Sequence, residues 1–273
     1  MRGLIDSHLH TRLCGHATGT VQQYAAAAAA RGLAGIAVTE HLPLPHELDP
    51  DRRLSMPPSR VEEYLGEIQE VRLARPDLEI ITGIEADWLP DRVEETAAAL
   101  SALRQRADGV KVVLGSVHFL GGWAFDDPNR LDEWGGRDVD QVWEDYTAEW
   151  CRAAKSGLFD VMAHPDLPKK FGHHPSGDVD GLYARFADVA LTSGVMIEVS
   201  TAGLRKPVAE LYPAAGLLRA FGEAGVPATL GSDAHSPDEV GFAFDEACDA
   251  LRTAGYHAVT FATARCEKRS VAL

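Results

Sequence analysis

The sequence predicts an α/β protein built on parallel strands, and two observations support this prediction. Short apolar runs rich in Val and Ile alternate with longer segments of helical pattern along the whole 273-residue chain. Most of these runs are apolar throughout, as strands covered by helices on both faces are. Such an alternation is typical of a (β/α) barrel or of a doubly wound open sheet, and periodicity alone leaves that choice open.

Seven parallel strands follow from the apolar runs. They are predicted over 4–5, 35–39, 79–84, 110–117, 159–163, 195–199 and 228–230. A last short strand over 258–261 is expected to close the structure.

Helix signals occupy the segments between the strands. The alanine run 25–30 lies inside a βα unit and predicts a closely packed helix. Residues 138–155 form another helix by their pattern. Capping signals predict three further helix starts, at Ser59 with Glu62, at Asp91 with Glu94, and at Ser236 with Pro237 and Glu239.

Composition favours one globular domain spanning residues 1–273. A single barrel commonly takes about 250 residues, and no linker or charge block divides this chain. Lys and Arg number 26 against 41 Asp and Glu, and the net charge of −15 disfavours nucleic acid and anionic lipid as partners. No apolar run approaches the roughly 20 residues that span a bilayer, so neither a membrane protein nor a secreted precursor is expected.

The four cysteines are scattered and contain no C-x-x-C pair. This spacing fits neither a disulfide framework nor a zinc ribbon, and it predicts reduced thiols in a cytoplasmic protein.

Histidines and carboxylates follow the predicted strands one after another. Barrel enzymes build their sites at this face, because the carboxyl ends of all strands meet at one rim. Imidazole and carboxylate together suit zinc, manganese or iron, and the absence of thiolates disfavours a structural zinc site. These residues are His8 and His10, His41, Glu85, His118, His164, Glu198, and Asp233 with His235.

Two spacings point to a polynuclear centre. In the His8-x-His10 pair an extended backbone places both rings on one side, so that they can bind one ion. The two oxygens of Glu85 can bridge two ions. Ions about 3.5–4 Å apart can trap a hydroxide nucleophile and clamp both oxygens of a phosphoryl displacement.

Six motifs taken in order resemble those of the PHP (polymerase and histidinol phosphatase) superfamily. The similarity covers residue 4 to about residue 245, and the ordered set is specific although each motif alone is weak. The motifs are Asp6-Ser7-His8-Leu9-His10, Thr39-Glu40-His41, Gly83-Ile84-Glu85, Ser116-Val117-His118, Ala163-His164-Pro165 and Gly231-Ser232-Asp233-Ala234-His235.

The resemblance implies a distorted (β/α)7 barrel that holds three divalent transition-metal ions, Zn, Mn or Fe. By position, His8, His10, Glu85 and Asp233 would hold the first ion. Glu85, His118 and His164 would hold the second, and His16, His41 and His235 would hold the third. Asp6 is expected to orient a ligand imidazole rather than to bind an ion.

Two segments resemble the histidinol-phosphate phosphatase branch in particular. The stretch from Glu198 to Pro207 is similar to its Asn-Thr-Ser and Gly-Leu-Arg-Lys-Pro segment, with Ser200 and Ala202 in place of Asn and Ser. The loop from His118 to Asp126 is similar to its aromatic loop. The resemblance implies hydrolysis of L-histidinol phosphate to L-histidinol and phosphate in histidine biosynthesis.

Several residues are expected to act on this small phosphorylated substrate. Arg205 offers a planar fork that matches phosphate oxygens, and Lys169 and Lys170 add positive charge. Trp123 and Phe125 are expected to cover the imidazole ring or to exclude water. Asp233 or a nearby histidine such as His235 is the expected general acid, and the oligomeric state is left open.

Three other functions stay open at this point. The first is phosphatase activity on another small phosphomonoester, which the departures at Ser200 and Ala202 allow. The second is a phosphodiesterase or exonuclease, which the acidic composition disfavours. The third is a non-catalytic interaction module, whose ligand positions would be eroded, whereas every expected position is occupied here.

Overall fold

In a computed structural model, the chain folds as a barrel of seven parallel strands with helices outside. The structure describes residues 3–264 and 267–273. The strands pair in chain order, each with the next. They are β1 (Ile5–Asp6), β2 (Gly35–Val38), β3 (Glu79–Asp87), β4 (Val112–Ser116), β5 (Val161–Met162), β6 (Met196–Ser200) and β7 (Ala228–Gly231).

Backbone hydrogen bonds between the first and last strands bring the sheet round into a barrel. The N–H of Ser7 donates to Leu230 O at 2.9 Å, and the N–H of His10 donates to Ala234 O at 2.9 Å. Leu9 and Ala234 form a parallel bridge just beyond these strands. The choice between barrel and open sheet is thereby settled, and the distorted (β/α)7 barrel implied by the resemblance is confirmed.

Helices connect successive strands. The alanine run forms the second half of α1, whose capping box pairs Thr20 with Gln23. The helices are α1 (Val21–Ala30), α2 (Val61–Ala74), α3 (Val93–Arg104), α4 (Val139–Lys155), α5 (Val179–Ser193), α6 (Ala215–Ala224) and α7 (Phe244–Thr253). Within the described residues, none is both long and apolar enough to cross a membrane.

None of the three predicted helix starts is found at the expected residue. Asp91 lies in the 3-10 turn Pro90–Arg92, and α3 begins at Val93 without a side-chain cap. Ser59 lies in a 3-10 turn, and α2 begins at Val61 without a side-chain cap. Ser236 precedes a single 3-10 turn, Pro237–Glu239, and α7 begins only at Phe244. There the Glu239 carboxylate accepts the N–H of His235 at 2.8 Å instead of capping a helix at Ser236.

The last predicted strand does not join the barrel sheet. It is β8 (Ala258–Ala264), which pairs antiparallel with β9 (Glu267–Ala272). An ion pair of 2.7 Å joins Arg269 to Glu79, the first residue of β3. The hairpin therefore lies at the amino-terminal ends of the strands, opposite the predicted site.

Three of the four cysteines lie within the described residues. Cys14, Cys151 and Cys248 are buried free thiols, as the scattered spacing predicts. Cys266 lies outside the described residues.

Candidate metal centre

The carboxyl ends of the strands bring the predicted ligands together in three groups. In each group, one donor atom from every member lies within 4.8 Å of the others. The groups are His8, His10 and Asp233; Glu85, His118 and His164; and His10, His41 and His235.

The His8-x-His10 segment places both rings on one side, as its extended backbone predicts. The Nε2 atoms of the two rings are 3.0 Å apart. Asp233 completes the group with Oδ1 at 3.3 Å from His10 Nε2 and 3.7 Å from His8 Nε2. Both histidines are fully buried, so the donors converge in a space shielded from solvent.

The two oxygens of Glu85 face different groups of imidazoles. Oε2 lies 2.9 Å from His41 Nδ1 and 3.4 Å from Nε2 of both His8 and His10. Oε1 lies 3.2 Å from His164 Nε2 and 3.8 Å from His118 Nε2. This is the arrangement that a bridging carboxylate requires.

His16 lies at the exposed side of the centre. Its Nε2 is 3.1 Å from His235 Nε2, and its Nδ1 lies 2.9 Å from Arg53 O. The resemblance places His16 with His41 and His235, and the group of donors found in the structure joins His41 and His235 to His10. His16 therefore contacts the third group through His235.

Carboxylates behind the imidazoles fix the orientation of the rings. Glu198 Oε1 lies 2.8 Å from His8 Nδ1, and Asp87 Oδ1 lies 2.9 Å from His118 Nδ1. Such partners select the tautomer that leaves the other ring nitrogen free to coordinate. Glu40 Oε1 lies farther from its ring, 3.5 Å from His10 Nδ1, and forms no hydrogen bond with it. Sequence reasoning missed the Asp87 and Glu40 roles, although an acid two residues after Glu85 in the same strand is a usable signal.

Asp6 serves a different purpose from the expected one. Its carboxylate accepts the N–H and hydroxyl of Ser232 at 2.9 and 2.5 Å, and the N–H of Gly241 at 2.8 Å. Its contact with His8 is to the backbone N–H, at 3.4 Å. Asp6 thus ties β1 to the loop after β7 rather than orienting an imidazole.

The electrostatics keep the central carboxylates charged. Burial would raise the pKa of Glu85, but the imidazoles of His8 and His41 hold that pKa well below its ordinary value. Burial acts on the pKa of Asp233 in the same way, and His8 and His10 likewise hold it well below the ordinary range. Both carboxylates are therefore ionised, as metal ligands must be.

The donor chemistry fits metal ions better than hydrogen bonding alone. Within the described part of the chain, Nδ1 of both His10 and His164 is buried without a hydrogen-bond partner, and Oε2 of Glu85 has no well-directed hydrogen bond although His41 Nδ1 lies 2.9 Å away. The Nε2 atoms of His8 and His10 face each other at 3.0 Å, and Nδ1 of His8 is engaged by Glu198. Buried polar atoms without partners are costly, and a cation bound among them would remove that cost.

Arg205 lies beside this centre with most of its guanidinium engaged by the protein. Nη2 donates to Ser232 O at 2.8 Å and to Asp233 O at 3.2 Å, and Nε lies 3.2 Å from Glu239 Oε1. Nη1 is buried and has no partner among the described residues. The sequence predicted that two N–H groups of Arg205 would bind phosphate, but among the described residues only Nη1 is left without a protein partner.

The two predicted lysines differ in their surroundings. Lys169 is 1% exposed, and its ammonium contacts Asp166 Oδ2 at 3.0 Å, Glu210 Oε2 at 3.0 Å and Leu211 O at 2.7 Å. Two hydrogen bonds and the ion pair with Asp166 engage its ammonium within the protein, so its placement differs from the expected substrate contact. Lys170 donates to the backbone O and to Oδ2 of Asp126 at 2.7 and 2.9 Å and keeps partial exposure.

The predicted aromatic residues lie inside a packed cluster. Trp123 and Phe125 are 4% and 1% exposed. Trp123 contacts Trp134 with ring centroids 5.0 Å apart, and Phe125 contacts Tyr146 at 5.6 Å. Their placement differs from the expected cover over a substrate ring, because both side chains are buried in this cluster and the Arg137 guanidinium lies 3.8 Å from the Trp123 ring centroid.

Tyr212 is a further candidate that sequence reasoning missed. It is 1% exposed and pairs with Ser200 at the end of β6, and its ring centroid lies 6.3 Å from that of His164. The phenol hydroxyl has no hydrogen-bond partner in the described residues. Burial raises the pKa of Tyr212, and Asp166 and Asp233 raise it further, so the hydroxyl remains a donor.

Fold and site together define a barrel protein built around a centre of imidazoles and carboxylates suited to several metal ions. The family model described as "PHP domain" matches residues 6–202. The chain belongs to the PHP domain family.

Curated relatives extend the similarity over nearly the full chain. A protein of Deinococcus radiodurans named "Probable histidinol-phosphatase" is 46% identical over 263 residues, covering 96% of this chain and 97% of the relative. The "Histidinol-phosphatase" of Bacillus subtilis is 28% identical and covers 88% of this chain and 96% of its own.

A solved structure supports the fold. The histidinol phosphate phosphatase of Lactococcus lactis, crystallised with zinc, L-histidinol and phosphate, superposes with a TM-score of 0.79. The sequences are 18% identical, and the match covers 96% of this chain and 98% of that one. At this identity the likeness concerns the barrel fold.

Proposed function

We propose that this protein is a metal-dependent phosphomonoesterase that hydrolyses L-histidinol phosphate to L-histidinol and phosphate. The observation that carries the proposal is the position of Glu85, with its two oxygens facing two separate groups of imidazoles. The full-length similarity to the Deinococcus radiodurans relative supports the choice of substrate. The reaction would serve histidine biosynthesis in the cytoplasm, with residues 1–273 acting as one domain.

We assign three divalent transition-metal ions, zinc, manganese or iron, to the three groups of donors. His8, His10, Glu85 and Asp233 would hold one ion, and Glu85, His118 and His164 would hold a second. His16, His41 and His235 would hold the third. When bound, such ions activate water as a nucleophile and neutralise charge on a phosphoryl group.

The side chains around the centre would bind the substrate and supply the proton for the leaving group. The unpartnered Nη1 of Arg205 would donate to a phosphate oxygen, and the unpartnered hydroxyl of Tyr212 would donate to the substrate from the His164 side. Lys170 retains donor capacity beside Asp126 and would add positive charge. Asp233 or His235 would deliver the proton that the leaving alkoxide requires.

Three other predicted substrate residues would support the walls of the site. Trp123 and Phe125 pack against Trp134 and Tyr146 and give the loop after β4 a rigid base. Lys169 ties the loop after β5 to the segment at Glu210 and Leu211. A rigid frame of this kind holds a substrate close to its reactive geometry.

A substrate panel tests this proposal. Purified protein supplied with Zn²⁺ or Mn²⁺ is assayed for phosphate release from L-histidinol phosphate, other small phosphomonoesters, nucleotides and a phosphodiester. We expect the highest kcat/KM for L-histidinol phosphate. A higher kcat/KM for another monoester would identify that monoester as the substrate instead, an outcome that the departures at Ser200 and Ala202 allow. A preference for the diester would overturn the monoesterase assignment.

A further inference from the structure

Glu239 contacts both the backbone of His235 and the side chain of Arg205, although it is not itself one of the proposed metal ligands. It lies at the end of the 3-10 turn Pro237–Glu239. Its Oε2 accepts the backbone N–H of His235 at 2.8 Å, and its Oε1 lies 3.2 Å from Nε of Arg205. One carboxylate therefore links a metal-ligand backbone after β7 to an arginine from the loop after β6.

Arg205 holds the same loop from the other side. Its Nη2 donates to Ser232 O at 2.8 Å and to Asp233 O at 3.2 Å. The guanidinium also lies 5.1 Å from the ring centroid of Phe242. Backbone groups at positions 232, 233 and 235 are thus held by two side chains that are bonded to each other, and we call this pair the Arg205–Glu239 clasp.

The loop held by the clasp has a backbone conformation that needs support. Asp233 has φ of +49°, in the left-handed region that non-glycine residues avoid. Such conformations persist only where the surroundings over-determine them. His235 depends on the same turn, because its Nδ1 lies 3.0 Å from Asp233 O.

We infer that Glu239 is a positioning residue, which acts through Arg205 and the His235 backbone to hold Asp233 and His235 in ligand geometry. This inference rests on the proposed function only in assuming that Asp233 and His235 bind metal. It gives Arg205 a second task besides phosphate binding. It also accounts for the absence of the predicted helix start at Ser236, since the Glu239 carboxylate is engaged by the His235 N–H and Arg205.

Glu239→Ala and Glu239→Gln test the inference, with Asp238→Ala as the matched control. Asp238 is an exposed acid in the same turn, so its removal changes the charge equally and leaves the clasp intact. Metal bound per chain is measured after dialysis against a weak chelator, and kcat and KM are measured at increasing metal concentration. Circular dichroism reports the fold.

Partners behind metal ligands typically contribute 10- to 100-fold in affinity. We expect Glu239→Ala to bind its weakest ion about 10-fold less tightly, with kcat lowered and then largely restored by excess metal. Glu239→Gln retains an acceptor for the His235 N–H and should lose less, and Asp238→Ala should match the unmodified protein.

Unchanged metal affinity in both Glu239 variants, or an equal loss in Asp238→Ala, would overturn the inference. If Glu239→Ala does not fold, the isosteric Glu239→Gln variant decides, since any loss of affinity in a folded Gln variant supports the clasp. Failure of the proposed function would look different, because the unmodified protein would then bind metal and not release phosphate from L-histidinol phosphate.

Discussion

Glu198 holds the imidazole of His8 by a 2.8 Å contact between its Oε1 and the Nδ1 of the ring, and both side chains are fully buried. The other oxygen of Glu198 accepts the backbone N–H of His164 at 2.9 Å. Because His8 and His164 belong to different groups of donors, this one carboxylate positions ligands on both sides of Glu85.

We expect Glu198→Gln to lower metal affinity and kcat/KM about 10- to 100-fold, in the range typical of partners behind metal ligands. An amide accepts with only one of its two terminal atoms, so one of the two contacts is lost. Metal titration and steady-state kinetics on the folded variant measure the effect. Equal affinity and turnover in Glu198→Gln would show that His8 keeps its orientation without this charge.

Because Gly231 has no side chain, the carboxylate of Glu198 can pack directly against it. A Cβ at position 231 would lie 1.9 Å from Glu198 Oε1 and 2.8 Å from His8 Cβ. Gly231→Ala should therefore displace Glu198 and cost at least about 10-fold in kcat/KM, as loss of the partner itself does. Gly122→Ala is the control, since a Cβ there meets nothing within 4 Å. Equal kinetics for the two variants would contradict this packing.

Lys169 should matter for stability more than for substrate binding. Its buried ammonium neutralises the buried Asp166 carboxylate. Removing one partner of a buried ion pair leaves an uncompensated charge, so Lys169→Met should lower the free energy of unfolding by about 3–5 kcal/mol. Urea unfolding measures this loss, with the more exposed Lys170→Met as the comparison. A stable Lys169→Met protein with a raised KM would restore the substrate role predicted from the sequence.

Tyr212→Phe removes the hydroxyl that we propose donates a hydrogen bond to the substrate, and it keeps the ring against His164. A lost hydrogen bond to a charged group costs about 1.5–3 kcal/mol, which corresponds to a decrease of roughly 10- to 100-fold in kcat/KM. Metal content should stay unchanged, since the proposed ligands are all imidazoles and carboxylates. A Phe variant with undiminished kcat/KM would place the hydroxyl outside the reaction.

The alternating pattern predicted parallel strands with crossover helices, and the family resemblance implied the barrel. The grouping of the donors could be predicted because each donor follows its strand directly. The convergence of His41, His118 and His164 can be predicted without knowing how the loops fold, because the parallel register alone brings the strand ends together. His16 lies in the loop after β1, and only the family resemblance placed it near the centre.

Residues whose roles depend on contacts between loops could not be predicted in this way. Lysine is a residue type that usually lies at the surface, so the sequence does not signal that Lys169 is buried. Its burial follows from the approach of the Glu210 segment. Glu239 matches a helix-capping pattern, but Arg205 and the His235 N–H compete for its carboxylate. Tyr212 carries no local signal, because its position depends on pairing with Ser200.

The most direct test of the central claim is phosphate release from L-histidinol phosphate by protein stripped with a chelator and then supplied with Zn²⁺ or Mn²⁺. We predict no turnover after stripping, recovery as two to three ions bind per chain, and a loss of several orders of magnitude in Glu85→Gln, whose amide cannot bridge two ions. Full activity of the stripped protein, or of Glu85→Gln, would contradict a reaction built on a shared carboxylate between two metal groups.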